Sequence, residues 1–297
     1  MPTPTVERFE KILSKNAPYM ASTVNKSRGF SPHWEGQFEE TLARIFGKDE
    51  ERMSNAVKGY IRFALDATRL QMRFEKERKY VPKSYAEAAS AVYHNGEYMR
   101  NLYLPGILLS QYLWPHHYNQ QQFFHKKFIP LVRQAQAKRF ADVGIGTGFF
   151  SRLTLAADPE VSGVGFDISD HSLSYGAMQI QSFGFQQRWQ PEKRNVITEP
   201  PTEKFNFVIS VEVLEHLEDP VSFIKALKAM LAPGGHAFVT AAITAPNEDH
   251  IYLYNNCQEV MGELQQGGFT VVDWQEDLAY QPKADEPVPR IGAFIVR

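Results

Sequence analysis

The chain has a single cysteine, Cys257, among 297 residues, so it can form no intramolecular disulfide and has no paired-cysteine metal site. A reducing, cytoplasmic setting is the expectation. A surplus of one charge sign is also missing: 32 basic residues face 34 acidic ones, a formal net charge of -2. That balance argues against a binder of bulk nucleic acid, which needs basic side chains to displace counterions from phosphate. Long apolar runs are absent too. The greasiest stretch, Leu102 to Trp114, is broken by Pro105, Gly106, Ser110 and Gln111 and falls short of the roughly 20 residues that span a bilayer. The N-terminal MPTPTVERFEKILSK alternates charged and apolar residues and does not read as a secretory signal. The expected partner is a small molecule, with no nucleic acid and no membrane; a homodimer is left open.

What is present changes texture near residue 135. Before it, Val57, Tyr60, Ile61, Ala64, Leu65, Thr68 and Met72 recur at helical spacing, as do Phe38, Leu42, Ile45 and Phe46. Ser84 with Glu87 fits a capping box that opens a further helix. The charge run EKERK at 75 to 79 reads as a solvated helix end. No strand signal precedes residue 138. From Arg139 onward short apolar runs alternate with helical segments, the pattern of a parallel sheet wrapped by helices. Candidate strands are Arg139 to Val143, Val161 to Phe166, Phe185 to Trp189, Phe205 to Val211, Gly235 to Ala242, Thr270 to Gln275 and Ile291 to Val296. A helix should start at Asp219-Pro220 and stop at Pro233-Gly234-Gly235. Only a polar, proline-rich loop, Gln281 to Pro289, joins the last two strands, which predicts an antiparallel hairpin. The expectation is an α/β chain in two parts, a helical cap over residues 1–135 and a ligand-binding domain over residues 136–297.

Asp142-Val143-Gly144-Ile145-Gly146-Thr147-Gly148-Phe149 leaves a strand and enters a helix, placing three glycines where backbone can approach a ligand closely. The exposed amides of a helix start favour an anionic or carboxylate-bearing ligand. Asp167 ends the next strand, where a carboxylate can accept both hydroxyl hydrogens of a ribose; Ser169 and Asp170 are better placed to cap the helix that follows. Together these features point to an adenosine-containing ligand. A nicotinamide dehydrogenase asks for G-x-G-x-x-G, and Phe149 stands where its third glycine would be.

The strings ADVGIGTGFFS, GVGFDIS, KFNFVISVEVLEHLEDP and LAPGGHAFVT resemble the successive motifs of class I S-adenosylmethionine-dependent methyltransferases. The resemblance covers residues 139 to 297 and implies a seven-stranded Rossmann-like sheet with an antiparallel last strand, and S-adenosylmethionine as cofactor. It implies that Asp142, Gly144 and Gly146 border the methionine part and that Asp167 holds the ribose. Thr147, Gly148, Ile168 and Val211 belong to the same expected cofactor site. Asn195 and Val196 occupy the place of the acid that usually contacts the adenine. The (Asp/Asn)-Pro-Pro-aromatic string of amino-group methyltransferases is absent: Ser210-Val211-Glu212-Val213 stands there, and Pro200-Pro201 precedes the strand.

Methyl transfer needs in-line placement of the acceptor and, for a hydroxyl, a base. Glu212, Glu215 and His216 follow the fourth strand and His250 follows the fifth, all at the carboxyl edge where open α/β folds bind ligands. Three readings stay open. Glu215 and His216 are scaffold; His216 or His250 is a general base; or Glu212, Glu215, His216 and His250 bind a divalent metal, similar to the E-x-x-E-H plus distant His of metal-assisted O-methyltransferases. The expected catalytic residues are His216, Glu215 and His250, with no metal assigned. The aromatic-rich N-terminal part is expected to select the acceptor through Tyr98, Tyr112, His116 and His117. Small-molecule methylation, O- ahead of N- or C-, is the functional expectation. The competing one is a non-catalytic cofactor-binding or interaction protein.

Overall fold

In the computed structural model, residues 3–81, 84–283 and 286–297 are described. Two positions of the expected polar loop, 284 and 285, therefore lie outside the described residues, as do the first two of the N-terminal segment. Seven strands form one sheet: β1 (Arg139–Val143), β2 (Ser162–Asp167), β3 (Trp189–Lys193), β4 (Phe205–Ser210), β5 (Leu231–Ile243), β6 (Val271–Leu278) and β7 (Arg290–Val296). Their order is β3-β2-β1-β4-β5-β7-β6. The first five run parallel, and β7 pairs antiparallel with both β5 and β6. This is the Rossmann-like sheet with a reversed last strand implied by the sequence resemblance.

The strand order reverses at β1 and β4, so a crevice opens outside their carboxyl ends. The glycine loop follows β1, and Glu212 to His216 follow β4. Topology alone thus brings together two motifs about 65 residues apart in the chain.

Strand ends shift by a few residues from the sequence expectation, and two boundaries differ for identifiable reasons. The third strand begins at Trp189, where the apolar run Phe185 to Trp189 was expected to end. Gly184, at φ 80°, turns the preceding helix back on itself, and the Phe185 amide donates to the Ile180 carbonyl at 3.1 Å. Phe185 thereby serves the helix end, with the Arg188 guanidinium 5.1 Å above its ring. The actual β3 is an edge strand, so a polar sequence containing Pro191 is tolerated there. The helix capped by Asp219 is Pro220–Met230, with the Ser222 amide donating to the Asp219 carboxylate at 3.0 Å. It ends before Pro233, because β5 already starts at Leu231 and absorbs the glycines in an irregular stretch opposite Phe205 and Phe207.

The N-terminal part is helical among its described residues. Its longest helix, Glu50–Glu77, buries Met53, Val57, Tyr60 and Phe63, and its exposed end at Lys76–Lys79 is the expected solvated charge run. The Ser84–Glu87 capping box forms as expected at the helix Tyr85–Ala91. Met53, Val57 and Tyr60 of the longest helix share one continuous core with the sheet. Phe124 and Phe128, from a π-helical turn, pack 4.9 and 5.7 Å from the Phe238 ring on β5. Arg152 reaches across to the Tyr112 hydroxyl at 3.2 Å and lies over the Phe149 and Phe183 rings. Among the described residues no helix is long and apolar enough to cross a membrane.

Candidate functional site

The three loop glycines all have positive φ, 74°, 50° and 74° for Gly144, Gly146 and Gly148, a region that disfavours side chains. Their surroundings separate their roles. A β-carbon on Gly144 would lie 2.5 Å from a Val213 methyl, and one on Gly148 would lie 2.9 Å from the Gly176 α-carbon. One on Gly146 would meet nothing within 4 Å. Gly144 and Gly148 thus allow close packing of the protein on itself, whereas Gly146 opens onto the cavity.

Asp167 anchors the loop. Its carboxylate accepts from the Ser169 amide at 2.8 Å and the Gly146 amide at 3.3 Å, and burial raises its pKa to about 6. Ser169 is the helix cap, as the sequence suggested. Asp142 is fully enclosed, accepts from the Ser151 hydroxyl at 2.7 Å, and is pushed up to about 7 by burial. Thr147, Ile168, Asn195, Val196 and Val211 line the same cavity with Asp142, Gly144, Gly146 and Asp167; Gly148 does not. The Asn195 side-chain carbonyl is occupied locally, accepting from the Ile197 amide at 3.0 Å.

At the β4 end Glu212 has φ 54°, an uncommon conformation for a residue with a side chain. Its amide donates to the Thr240 hydroxyl at 2.9 Å, and that hydroxyl returns a 2.6 Å bond to its carboxylate. Desolvation pushes this acid up to about 7. Glu215 is completely buried, its carboxylate has no hydrogen-bond partner among the described residues, and its pKa is driven well up by burial and by nearby Glu212. Its backbone carbonyl accepts the Ile251 and Tyr252 amides at 2.9 and 3.0 Å, which ties the β4 and β5 loops together.

His216 and His250 face each other, ring centres 4.7 Å apart, and both line the cavity. The His250 Nδ1 donates to the Ala245 carbonyl at 2.6 Å, and burial lowers its pKa to about 3, so the ring is neutral at pH 7. The His216 Nδ1 lies 3.1 Å from the Asp249 carbonyl oxygen and 3.4 Å from the Asp249 carboxylate. Both neighbours are acceptors, so Nδ1 carries a proton.

Asp249 is the residue that motif reading missed. It is wholly buried, and its carboxylate also accepts the Tyr103 hydroxyl at 2.6 Å and the Tyr93 hydroxyl at 2.9 Å, both from the helical part. The two histidines and these hydroxyls hold it below the usual carboxylate range despite burial. The one sequence signal was its place beside His250 after β5.

Of the expected acceptor residues, His116 and His117 line the cavity, both kept neutral at pH 7 by burial. Tyr112 and Tyr98 do not. Tyr112 stacks on Phe38 at 5.0 Å, bonds Thr41 at 2.6 Å and belongs to the helical core. Tyr98 packs beside Tyr103, ring centres 6.1 Å apart. The wall facing the cavity is supplied instead by Tyr60, Phe63, Leu113 and Trp114.

Glu215, His216 and His250 offer ligand atoms within 4.8 Å of one another. Glu212, the fourth member of the expected metal set, stands outside that cluster and bonds Thr240 and Gln120.

A glycine loop after β1, an acid at the end of β2 and a reversed seventh strand together define the class I S-adenosylmethionine-dependent methyltransferases. The chain belongs to the methyltransferase-domain family, whose sequence model matches residues 116–272, more than half its length. Among curated relatives, a ubiquinone biosynthesis O-methyltransferase of Pseudomonas putida is 31% identical over 101 residues, 34% of this chain and 43% of the relative. One of Parvibaculum lavamentivorans is 26% identical over 145 residues, 49% of this chain and 54% of the relative. The chain thus spans about half the length of these relatives, or less. Among solved structures, an O-methyltransferase family protein of Burkholderia thailandensis superposes with a TM-score of 0.52 at 11% identity, covering 81% of this chain and 71% of that one. A Haemonchus contortus phosphoethanolamine N-methyltransferase also reaches 0.52, at 14% identity, covering 72% and 60%. At these identities the likeness to both structures is one of fold.

Proposed function

We propose that the protein transfers the methyl group of S-adenosylmethionine to a hydroxyl of a small-molecule acceptor. The observation that carries this reading is one cavity of about 980 Å³, bordered by the glycine loop and Asp167 on one side and by the helical wall on the other. Ligand pockets span roughly 300 to 1,000 Å³, so this one has room for an acceptor beside a cofactor. Gly146 and Asp167 bind the cofactor, with Asp142, Gly144, Thr147, Ile168, Asn195, Val196 and Val211 around them. His216 is the base. Its Nε2 lone pair takes the acceptor proton, and Asp249 fixes the tautomer and the ring. O-methylation is preferred because an imidazole positioned as a base suits a hydroxyl; the O-methyltransferase names of the curated relatives agree with it.

Formation of S-adenosylhomocysteine from S-adenosylmethionine and a panel of phenols and alcohols tests the reading. His216→Ala is expected to lower the maximal rate by about 100-fold or more with cofactor affinity intact. Full activity in that variant removes His216 from the chemistry. Cofactor binding without turnover of any acceptor favours a non-catalytic binding protein.

The Glu215, His216 and His250 cluster supports a second reading, in which these residues hold a divalent cation that would orient the acceptor oxygen. The engaged Nδ1 atoms leave only the Nε2 atoms for a metal, and Glu212 does not join them. We therefore expect a chelator to leave activity unchanged. Loss of activity restored by Mg or Mn would select the metal reading.

Asp167 gives a pH test. Its pKa, near 6 in the folded chain, exceeds the roughly 3.9 of an unfolded aspartate, so the folded state holds the extra proton between these values. This group's contribution to stability is therefore greatest below about pH 4 and is lost as pH rises through 6. Ligand binding has the opposite sign, because ribose hydroxyls donate to the ionised carboxylate. Affinity for S-adenosylhomocysteine is expected to fall by about tenfold per pH unit below about 6, measured by calorimetry. A flat profile from pH 5 to 7.5 would place the ribose elsewhere.

A further inference from the structure

The cavity extends well beyond the glycine loop, and the charges along it are unevenly arranged. The helix Glu50–Glu77 presents one stripe to it, from Tyr60, Phe63 and Ala64 through Ala67 and Gln71 to Glu75. Fifteen residues of helix correspond to about 22 Å. At the Tyr60 end the wall is aromatic. The Phe63 and Trp114 rings are near-parallel at 5.4 Å, and Trp114 and His116 at 5.6 Å. Gln111 and His116 stand beside them, 4% and 6% exposed.

The acidic side chains lining this space are Glu75, Asp142, Asp167, Glu212, Glu218 and Asp219. Among the described residues, the arginines and lysines lining it are Arg194 and Arg290, and both are engaged. Arg194 pairs with Glu192 and donates to the Glu199 carbonyl at 3.0 Å; Arg290 pairs with Glu276 at 3.3 Å. A carboxylate or phosphate entering the aromatic end would lose its water and meet no unpaired cation, which disfavours it. An uncharged ring would replace water along apolar walls and meet the rings edge-on or offset.

From this wall and these charges we infer that the Tyr60–Phe63–Trp114 end is an acceptor subsite for an uncharged aromatic molecule and excludes carboxylate- and phosphate-bearing ones. The inference rests on the methyl-transfer reading for its name as an acceptor site, and it adds the chemical class that the site takes. Gln111 and His116 supply polar edges for a neutral hydroxyl or amide. Tyr60 and Phe63 fix the plane in which the ring lies.

The test uses the full chain saturated with S-adenosylhomocysteine and two probes that share one ring system, 2-naphthol and 2-naphthoate, at pH 7. Calorimetry is expected to show saturable 2-naphthol binding, with 2-naphthoate weaker by at least about 30-fold. Trp114→Ala should weaken 2-naphthol by about tenfold and leave S-adenosylhomocysteine affinity within about twofold. Phe63→Leu, a milder change, should show the same selectivity if Trp114→Ala proves unstable. Equal binding of the two probes, no binding of 2-naphthol, or 2-naphthol binding indifferent to both substitutions overturns the inference. Failure of S-adenosylhomocysteine itself to bind is a separate outcome: it overturns the cofactor reading and with it the acceptor assignment.

Discussion

Gly146→Val should abolish S-adenosylhomocysteine binding, weakening it by at least about 100-fold, while the chain unfolds within a few degrees of the parent. The two parts of this expectation have separate causes. The backbone at Gly146 has φ 50°, which disfavours a branched side chain by about 1 to 2 kcal/mol. Beyond its chain neighbours, no atom of the described residues lies within 4 Å of the new β-carbon, so no packing conflict adds to that strain. The side chain instead fills the space in which the ligand would lie, and Gly146 holds its amide against Asp167. Gly144→Val is the contrasting variant, because its β-carbon would press on a Val213 methyl at 2.5 Å and the fold itself should suffer. Calorimetry of both variants, with thermal unfolding, separates the cases. Parental affinity in Gly146→Val would mean that the cofactor does not approach this loop.

Asp249→Ala should be the most damaging single change to stability at the site, costing about 3 to 5 kcal/mol and lowering the melting temperature by about 10 °C. Its carboxylate is 0% exposed, accepts the Tyr93 and Tyr103 hydroxyls and lies 3.4 Å from the His216 Nδ1, whose hydrogen bond goes to the Asp249 backbone carbonyl. Truncation strands two buried hydroxyls and removes the carboxylate beside His216, while the backbone carbonyl bonded to its Nδ1 remains. Two of those partners come from the helical part and one from the β4 loop, so the variant also loosens the docking of the helices onto the sheet. Tyr103→Phe, which removes one hydroxyl and its bond, should cost about 1 to 2 kcal/mol. Differential scanning calorimetry of the two variants checks the order. A melting temperature for Asp249→Ala within a degree of the parent would show that the carboxylate does not clamp the helices to the sheet.

Much of the fold and of the glycine loop was legible in the sequence because those features are local. Each parallel strand except β3 carries its own apolar run, Asp219-Pro220 and Ser84–Glu87 cap helices through bonds three residues long, and the hairpin follows from a polar, proline-rich loop with no helix signal. Gly144, Gly146 and Gly148 announced a turn with positive φ within five residues. Edge strand β3 was misplaced for the opposite reason. Its residues carry no apolar signal, and the neighbouring phenylalanine was claimed by a helix end.

Tertiary structure alone decided which of many similar side chains face the cavity. Tyr98, Tyr112, His116 and His117 all belong to the same aromatic-rich stretch, yet burial of Tyr112 against Phe38 and Thr41 and the turn of the helix at Trp114 leave only the histidines on the cavity wall. Asp249 gains its role from hydroxyls 146 and 156 residues away in the chain. Composition and periodicity report what a residue can bury, over a window of one helix or strand. Which partner it meets depends on how helices cross a sheet built from the other half of the chain, and no window of sequence contains both sides of that contact.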